Sequence, residues 1–332
     1  MKRVAEEDLQ HIVTHCPSLE SLRGARLFIT GGTGFFGKWL LEGLTFANAA
    51  LKLDLHVTAL SRDPDSFLKS APHLDNVTFL RGDVRTLQHD GQPYTHVIAG
   101  ATAASQALND NAPREMFDTI VEGTRRTLDF AQAAGAKRFL FLSSGAVYGA
   151  QTVTHVPETY VGAPDPLSVA SAYGEGKRAA EWLCAQSGLP VTIARCFAFV
   201  GPHLPLDTHF AIGNFIRDAL AGKDIIVKGD GTPRRSYLYA SDLVIWLLHL
   251  LTSGANRTAY NVGSAEDLSI AELARVIAQR FGRQVQVLGT PDPNKPIARY
   301  VPDISRARDA MGLVPKVSLA DAIEKTARFH TS

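Results

Sequence analysis

The stretch that decides the fold reads Arg26-Leu27-Phe28-Ile29-Thr30-Gly31-Gly32-Thr33-Gly34-Phe35-Phe36-Gly37. An apolar run of strand-forming residues precedes the glycines, and a helical pattern follows them. Gly31 permits a tight turn, Gly34 lets the backbone approach a pyrophosphate, and Gly37 allows close helix–strand packing. Phosphates favour the start of the following helix, where free N–H groups and the dipole attract anions. In this context the pattern favours a dinucleotide site over an unliganded turn.

A second group of residues carries candidate chemistry. Ser144 stands in the segment Ser-Ser-Gly-Ala-Val-Tyr-Gly over 143–149, and Tyr173 and Lys177 follow, four residues apart. A Tyr and a Lys at this spacing share one helix face. A phenol has an ordinary pKa of about 10, and a nearby ammonium lowers that pKa. The pair is then suited to move the proton that accompanies hydride transfer, with Ser144 holding the reacting oxygen.

The alternative for these residues is structural. Tyr173 would then be a packing aromatic and Lys177 a solvated charge. Taken alone, the pair favours that interpretation. The glycine-rich turn upstream and Ser144 together favour the catalytic one.

Composition limits the class of protein. The chain has 332 residues, of which 45% are hydrophobic, and a formal net charge of +1. Such a length supports one or two domains with a large core, and nucleic-acid-binding proteins usually carry a basic excess. With a net charge near zero, we expect no nucleic-acid partner. We expect no membrane partner either, because the sequence lacks a long apolar run. The start of the sequence lacks the pattern of a secretory signal. Three scattered cysteines predict a cytoplasmic protein without a metal site.

Alternating strand and helix patterns predict the architecture. Candidate strands cover 26–30, 56–60, 77–81, 96–100, 138–143 and 191–195, and candidate helices cover 5–22, 114–134, 210–221 and 270–281. Such alternation predicts an α/β fold, a Rossmann-like doubly wound parallel sheet covered on both faces. We expect a helical N-terminal extension over 1–23, a dinucleotide-binding domain mainly over 24–196 and a smaller, interleaved C-terminal substrate-binding lobe mainly over 197–332. Residues 236–263 are expected to return to the dinucleotide-binding domain.

The end of the second predicted strand bears on cofactor choice. Dinucleotide folds that prefer NAD usually place an acid there for the ribose 2′-hydroxyl. Ser61 stands at that place and Arg62 follows it. The planar fork of arginine suits a 2′-phosphate, so the sequence favours NADP over NAD. In the alternative, Arg62 stacks on the adenine or points to solvent, and Asp63 contacts the ribose.

Together these motifs resemble the extended short-chain dehydrogenase/reductase family, in its NAD(P)-dependent nucleotide-sugar epimerase, dehydratase and reductase branch. The resemblance covers about residues 24–330. It is carried by the segments 31–37, 82–84, 143–149, 173–177, 195–202, 229–242 and 260–263. The order and spacing of these segments match the family.

The resemblance implies a set of site residues. Asp83 corresponds to a residue that contacts the adenine ring, with a helix-capping role as the alternative. The implied cofactor ligands are Gly31, Thr33, Gly34, Phe35, Phe36, Gly37, Ser61, Arg62, Asp83, Val84, Tyr173 and Lys177. The implied substrate is a nucleoside-diphosphate sugar. Arg235 matches the diphosphate-binding residue, Arg299 is a second candidate, and Asn214 either contacts substrate or caps a helix.

Departures from the family pattern narrow the implied reaction. Gly145 and Ala146 stand where 4,6-dehydratases carry an acid pair and where sugar-acid decarboxylases carry a Glu. What is left is hydride transfer at one carbon, expected to be C4, as an epimerase or a 4-ketoreductase. A dehydratase or decarboxylase, and a non-catalytic NADP-sensing protein, are the alternatives. Ala198 and Ile120 replace Asn residues that the family often has. The resemblance also implies a homodimer through the 114–134 helix and the helix of Tyr173.

Overall fold

The computed structural model describes residues 1–102, 106–208 and 210–331. The strands, in chain order, are β1 (Arg26–Thr30), β2 (His56–Ser61), β3 (Thr78–Arg81), β4 (His96–Ala99), β5 (Arg138–Ser144), β6 (Val191–Cys196), β7 (Phe199–Val200), β8 (Ile225–Val227), β9 (Arg234–Arg235), β10 (Leu238–Tyr239), β11 (Thr258–Val262), β12 (Leu268–Ser269), β13 (Val285–Val287) and β14 (Arg299–Tyr300). The predicted domain ranges include residues 103–105, 209 and 332, which lie outside the described residues.

The α-helices of the described residues alternate with these strands through the first half of the chain. They are α1 (Glu6–His15), α2 (Phe35–Leu51), α3 (Pro64–Ser70), α4 (Gln106–Asn111), α5 (Pro113–Ala133), α6 (Ala172–Gln186), α7 (Ala211–Leu220), α8 (Ala240–Ser253), α9 (Ile270–Phe281), α10 (Ser305–Met311) and α11 (Leu319–Thr331). No helix of the described residues is long and apolar enough to cross a membrane.

The main sheet has the order β3-β2-β1-β4-β5-β6-β11, seven strands when counted over the described residues. Each pairing from β3 through to β6 is parallel. The chain order reverses between β1 and β4, the position at which doubly wound folds bind dinucleotides. The predicted Rossmann-like α/β fold class is therefore confirmed.

The sequence locates most elements of this sheet and misses others. Six of its strands fall within about two residues of the predicted ranges, whereas β11 was not predicted. The predicted helix over 5–22 is wrong at its second half, because α1 ends at His15 and a 3₁₀ helix covers Pro17–Leu22. Cys16 has φ −116° and ψ 77°, outside the helical region, since a residue before proline is disfavoured in the α conformation.

The chain divides into two compact units. The first comprises Met1–Gly149, Ala163–Cys196 and Val244–Tyr260, and the second comprises Ala150–Gly162, Phe197–Leu243 and Asn261–Ser332. The second unit includes a small sheet in which β9 lies between β12 and β14. The assignment of these units to dinucleotide and substrate binding stays a prediction.

The N-terminal extension packs within the first unit. Ile12 of α1 is fully buried, and a Cβ added at Gly43 of α2 would lie 3.1 Å from its Cδ1 and 3.4 Å from Cγ1 of Val244. The Val4 N–H donates to the buried Glu42 carboxylate at 2.8 Å. Three separated stretches of chain therefore meet at α2.

Candidate active site

The glycine-rich turn lies where the order of the sheet reverses. Gly31 follows β1 with φ +80°, and a Cβ there would lie 2.6 Å from the Gly100 carbonyl oxygen. The Thr30 hydroxyl accepts the N–H groups of Gly100 and Ala101, each at 3.1 Å. These contacts bind the carboxyl ends of β1 and β4 together. Only glycine fits position 31, because it adopts positive φ and has no side chain.

The turn leads into the N-terminus of α2, which fits a pyrophosphate. Gly34 is the N-cap residue of α2 and makes no side-chain hydrogen bond to the helix. The first N–H groups of α2 are therefore not capped by a Gly34 side chain. A Cβ at Gly34 would meet only the Gly31 oxygen, at 3.5 Å, whereas a Cβ at Gly37 would lie 2.3 Å from the Gly32 carbonyl carbon. Gly37 thus permits helix packing, and Gly34 leaves space for an approaching anion. Thr33, Phe35 and Phe36 are partly buried around this turn.

The end of β2 provides the groups nearest to the expected ribose position. Ser61 is buried, and its hydroxyl accepts the Asp63 N–H at 3.2 Å. Arg62 is exposed. Asp63 accepts the Ser66 N–H at 3.2 Å and so caps α3. Because that cap already engages the Asp63 carboxylate, Arg62 is the freer candidate for the ribose 2′ position.

Asp83 follows β3 and lies at the same sheet edge. Its carboxylate accepts hydrogen bonds from the side chain and the backbone N–H of Arg85. The Arg85 side chain is the main reason why the pKa of Asp83 lies below its ordinary value. Val84 is buried, and a Cβ at Gly123 of α5 would lie 2.9 Å from it. The capping alternative for Asp83 therefore describes a contact that exists, and an adenine contact is compatible with it.

Ser144, Tyr173 and Lys177 come together at the carboxyl end of β5. Ser144 is the last residue of β5, and its hydroxyl is hydrogen-bonded to the Tyr173 phenol. Lys177, 2% exposed, donates from Nζ to the Leu142 carbonyl at 2.8 Å. The same Nζ lies 5.8 Å from the centre of the Tyr173 ring. The three residues form the constellation that the sequence predicts, and their catalytic roles stay a prediction.

The electrostatics of this group differ from expectation. Burial raises the pKa of Tyr173 to about 12, although the hydrogen bond from Ser144 opposes this. Burial also lowers the pKa of Lys177 to about 8. The expectation that Lys177 brings the pKa of Tyr173 below its ordinary value is therefore wrong for the protein without cofactor. At neutral pH the phenol is protonated, which is the form that donates a proton.

The sequence did not predict a largely buried ion pair between Glu181 and Arg195, whose side chains are 12% and 17% exposed. The Arg195 guanidinium of β6 donates to both carboxylate oxygens of Glu181, with Nη2 to Oε2 at 2.7 Å. Glu181 also accepts the Ser143 hydroxyl at 2.5 Å, and Arg195 donates to the Tyr148 hydroxyl at 2.9 Å. The signal available in the sequence was the position of Glu181, four residues after Lys177 and hence one turn further along the same helix.

Ile120 and Ala146 differ from the residues that the family often has, and both lie at close contacts with helix α6. Ile120 of α5 is buried, and a Cβ at Gly176 of α6 would lie 3.2 Å from its Cδ1. A Cβ at Gly174 would lie 2.9 Å from the Ala146 carbonyl oxygen. Helix α6 therefore packs through glycines against α5 and against the turn after β5.

The candidate substrate ligands belong to the second unit and are not equivalent. The Arg235 guanidinium lies 5.8 Å from the centre of the Tyr300 ring and donates to the Arg234 carbonyl at 2.8 Å. Arg299 pairs with Asp267 at 2.7 Å. Arg299 stands opposite Arg234 in the register of β14 and β9. Successive strand residues face opposite sides of a sheet, so Arg299 and Arg235 lie on different faces.

Asn214 of α7 has both side-chain groups engaged within its own unit. Its Nδ2 donates to the Thr208 carbonyl at 2.9 Å, and its Oδ1 accepts Arg217 Nη1 at 3.0 Å. These local bonds correspond to the structural alternative for Asn214. Among the described residues, no group of three or more His, Cys, Asp or Glu side chains is arranged to hold a metal ion.

Fold and site together define a Rossmann-type oxidoreductase of the extended short-chain dehydrogenase/reductase kind. The chain belongs to the NAD-dependent epimerase/dehydratase family, whose model matches residues 27–263. The predicted family is therefore confirmed. The family depends on NAD, and the predicted preference for NADP stays a prediction.

Three known proteins illustrate the similarity. The chain is 31% identical over 337 residues to UDP-glucuronic acid decarboxylase 5 of Arabidopsis thaliana, covering 96% of this chain and 95% of the relative. A UDP-glucose 4-epimerase structure from Thermotoga maritima has a TM-score of 0.76 at 23% identity and covers 92% of this chain and 98% of its own. A dTDP-glucose 4,6-dehydratase structure from Streptomyces venezuelae has a TM-score of 0.78 at 23% identity, covering 92% and 96%.

The two structural similarities establish the shared fold. The relative that is similar in sequence is a sugar-acid decarboxylase. The comparisons therefore favour the dehydratase or decarboxylase alternative over the predicted C4 epimerase or ketoreductase.

Substitutions at two glycines separate folding from cofactor binding. Gly37→Ala should destabilise the protein by about 1–3 kcal/mol, because the new methyl overlaps backbone. Gly34→Ala should leave the melting temperature nearly unchanged and weaken NAD binding at least about tenfold, because the methyl occupies the space of the pyrophosphate. Thermal melting and calorimetric titration with NAD measure the two effects. Unaltered NAD affinity in Gly34→Ala would contradict a pyrophosphate site at this turn.

The Glu181–Arg195 pair should dominate the stability of the site. Glu181→Gln should cost about 3–5 kcal/mol, because it leaves the Arg195 charge buried without its partner. The double variant Glu181→Leu/Arg195→Met should recover part of that loss, because a buried ion pair replaced by apolar residues is often neutral. Urea denaturation measures both. Glu122→Gln, which breaks the exposed pair with Arg126, is the matched control and should cost less than about 1 kcal/mol.

Proposed function

We propose that this chain oxidises and re-reduces one carbon, C4, of a nucleoside-diphosphate sugar with NAD as the hydride carrier. The observation that carries the proposal is the Ser144–Tyr173–Lys177 group at the sheet edge that also bears the glycine-rich turn. Ligands of doubly wound folds bind beyond this edge. Membership of the NAD-dependent family supports the choice of cofactor.

Each of the three residues has a role in proton transfer. Tyr173 exchanges the proton of the C4 hydroxyl, and Ser144, already hydrogen-bonded to the phenol, orients the same oxygen. Lys177 is held by the Leu142 carbonyl, and it would hold the nicotinamide ribose of a bound cofactor. NAD, when bound, supplies the hydride acceptor and the positive charge of the oxidised nicotinamide.

The charge of the cofactor explains how Tyr173 acts as a base. Without cofactor the pKa of Tyr173 is about 12, so the phenolate is scarce at neutral pH. A positive charge nearby favours the phenolate and lowers the pKa. Proton removal from the sugar is therefore coupled to the presence of oxidised NAD.

The first candidate substrate is a nucleoside-diphosphate hexuronate, because the curated relative decarboxylates UDP-glucuronic acid. A ketone at C4 makes the C6 carboxylate part of a β-keto acid. The C5–C6 bond then breaks, C6 leaves as CO₂, and the electron pair passes into the enolate of the C4 ketone. Water returns a proton to C5, and the hydride returns to C4. Loss of CO₂ itself needs no acid at positions 145 or 146.

A second candidate is 4-epimerisation or 4-ketoreduction, and the Gly145–Ala146 segment favours it. Elimination of water across C5 and C6 needs a base for the C5 proton and an acid for the leaving hydroxyl. Neither Gly145 nor Ala146 transfers protons, so 4,6-dehydration has little support. Epimerisation and ketoreduction need only the Ser144–Tyr173–Lys177 group.

The substrate diphosphate is assigned to Arg235. Arginine binds diphosphate through paired, charge-assisted hydrogen bonds, and stacking near Tyr300 orients the guanidinium. Arg299 is a weaker candidate, since its guanidinium is already paired with Asp267. We also propose a homodimer through α5 and α6, and the 64% exposed Trp182 on α6 supports a contact there.

A turnover assay tests this function. The protein would be mixed with NAD and either UDP-glucuronic acid or UDP-glucose, and CO₂, sugar products and NADH would be followed. CO₂ with a UDP-pentose supports the first candidate, whereas a 4-epimer supports the second. The oxidation rate should rise with pH, because the phenolate is the reactive base.

Tyr173→Phe is the matching variant for this assay. It should lower turnover at least about 100-fold, because it removes the acid–base group, while NAD binding is kept. Retained turnover would contradict the mechanism. NAD binding without turnover on any sugar in the wild type would favour the non-catalytic alternative.

Cofactor choice is tested at Arg62. Arg62→Ala should weaken NADP binding by about 10- to 100-fold and leave NAD binding nearly unchanged, because a charged hydrogen bond to the 2′-phosphate is lost. Fluorescence titration with NADP and with NAD measures the two dissociation constants and hence their ratio. Arg125→Ala, at an exposed position on α5, is the control. Equal effects on NADP and NAD would contradict the 2′-phosphate contact that the sequence predicts for Arg62.

A further inference from the structure

The helix that carries Tyr173 and Lys177 lacks a side-chain cap of its own. Helix α6 begins at Ala172, and Ser171 at its N-cap position makes no side-chain hydrogen bond. The first N–H groups of a helix have no partner within it. The Tyr173 N–H is one of these groups, so another part of the chain has to satisfy it.

Asn109 of α4 supplies the missing partner. Its Oδ1 accepts the Tyr173 N–H at 3.1 Å, across 64 residues of sequence. Its Nδ2 donates to the Ala170 carbonyl at 3.2 Å. One side-chain amide therefore holds the residues on both sides of the helix start.

The chemistry of these two bonds fixes the orientation of the amide. A backbone N–H only donates and a backbone carbonyl only accepts, so one of the two amide flips satisfies both partners. Asn109 is 6% exposed, and water competes little for these bonds. The contact is therefore a fixed connection between α4 and the first turn of α6.

We propose that Asn109 is a positioning residue that fixes the backbone of Tyr173 and thereby aligns its phenol with Ser144; the inference rests on the proposed function. The phenol oxygen stands at the end of a long side chain, so a small rotation at the helix start moves it substantially. Misplacement of a catalytic group by about 1 Å can cost 100-fold in rate. A group that acts through Tyr173 in this way affects kcat more than KM.

The neutrality of Asn109 has its own role. Among the described residues, the groups that face Tyr173 include Ser144 from β5, Lys177 from α6 and Cys196 from β6. A carboxylate at position 109 would keep an acceptor for the Tyr173 N–H and add a negative charge near the phenol. That charge disfavours the phenolate. An amide caps the helix without this penalty.

Three variants separate these effects. Asn109→Leu removes both hydrogen bonds at similar volume, Asn109→Asp keeps the acceptor and adds charge, and Asn111→Ala on the exposed end of α4 is the control. Single-turnover NAD reduction, kcat, KM, NAD affinity and hydrogen exchange at the Tyr173 amide would be measured for each, with UDP-glucuronic acid and UDP-glucose as substrates.

Asn109→Leu should lower kcat by about 10- to 100-fold with KM and NAD affinity within about twofold, and it should speed exchange of the Tyr173 amide. Asn109→Asp should keep that amide protected and shift the pH–rate profile to higher pH. Asn111→Ala should match the wild type in every measurement. Asn109→Asp also keeps the test informative if the leucine variant does not fold.

Two results would overturn the inference. The first is wild-type kcat and wild-type Tyr173 amide exchange in Asn109→Leu. The second is a decrease in kcat, NAD affinity and melting temperature in both variants, together with an increase in KM. That combination indicates a structural role alone. If Tyr173→Phe keeps full turnover, the proposed function fails instead, and the exchange data still report whether Asn109 holds the helix.

Discussion

The arrangement of Ser144, Tyr173 and Lys177 depends on the ion pair that the largely buried Glu181 carboxylate makes with Arg195. The Glu181 oxygens accept hydrogen bonds from Nε and Nη2 of Arg195 on β6 and from the Ser143 hydroxyl on β5. A charge taken out of water has to be paired and hydrogen-bonded, and breaking such a pair is costly. Helix α6 therefore has one favourable depth and rotation against the sheet. Lys177, one turn before Glu181, and Ser144, next to Ser143, take their positions from it.

Burial also changes the acid–base properties of Tyr173 and Lys177. Tyr173 and Lys177 both lose water, so the pKa of the phenol rises and the pKa of the ammonium falls. Both changes favour the neutral forms. A positive charge placed near the phenol would favour the phenolate and oppose the effect of burial.

Sequence reasoning succeeded where the signal is local. The glycine turn, the parallel strands and the Tyr173–Lys177 spacing follow from short-range patterns, and the structure contains all of them. It failed where the partner is distant: Arg195 reaches Glu181 across 14 residues, and Asn109 reaches Tyr173 across 64. It also gave the wrong direction for the pKa of Tyr173, since a sequence does not report burial. The break at Pro17 was available from the proline itself.

The interleaving of the two units has a consequence for biosynthesis. The first unit takes its last stretch from Val244–Tyr260, so a nascent chain cannot complete it when residue 196 has emerged. Until α8 is made, Gly43 lacks its neighbour Val244, and until β11 is made, β6 lacks its neighbour in the sheet. Exposed apolar surface and an unpaired strand edge promote aggregation of partly folded chains. Yield in a recombinant host should thus depend on translation speed and chaperone supply between these two points.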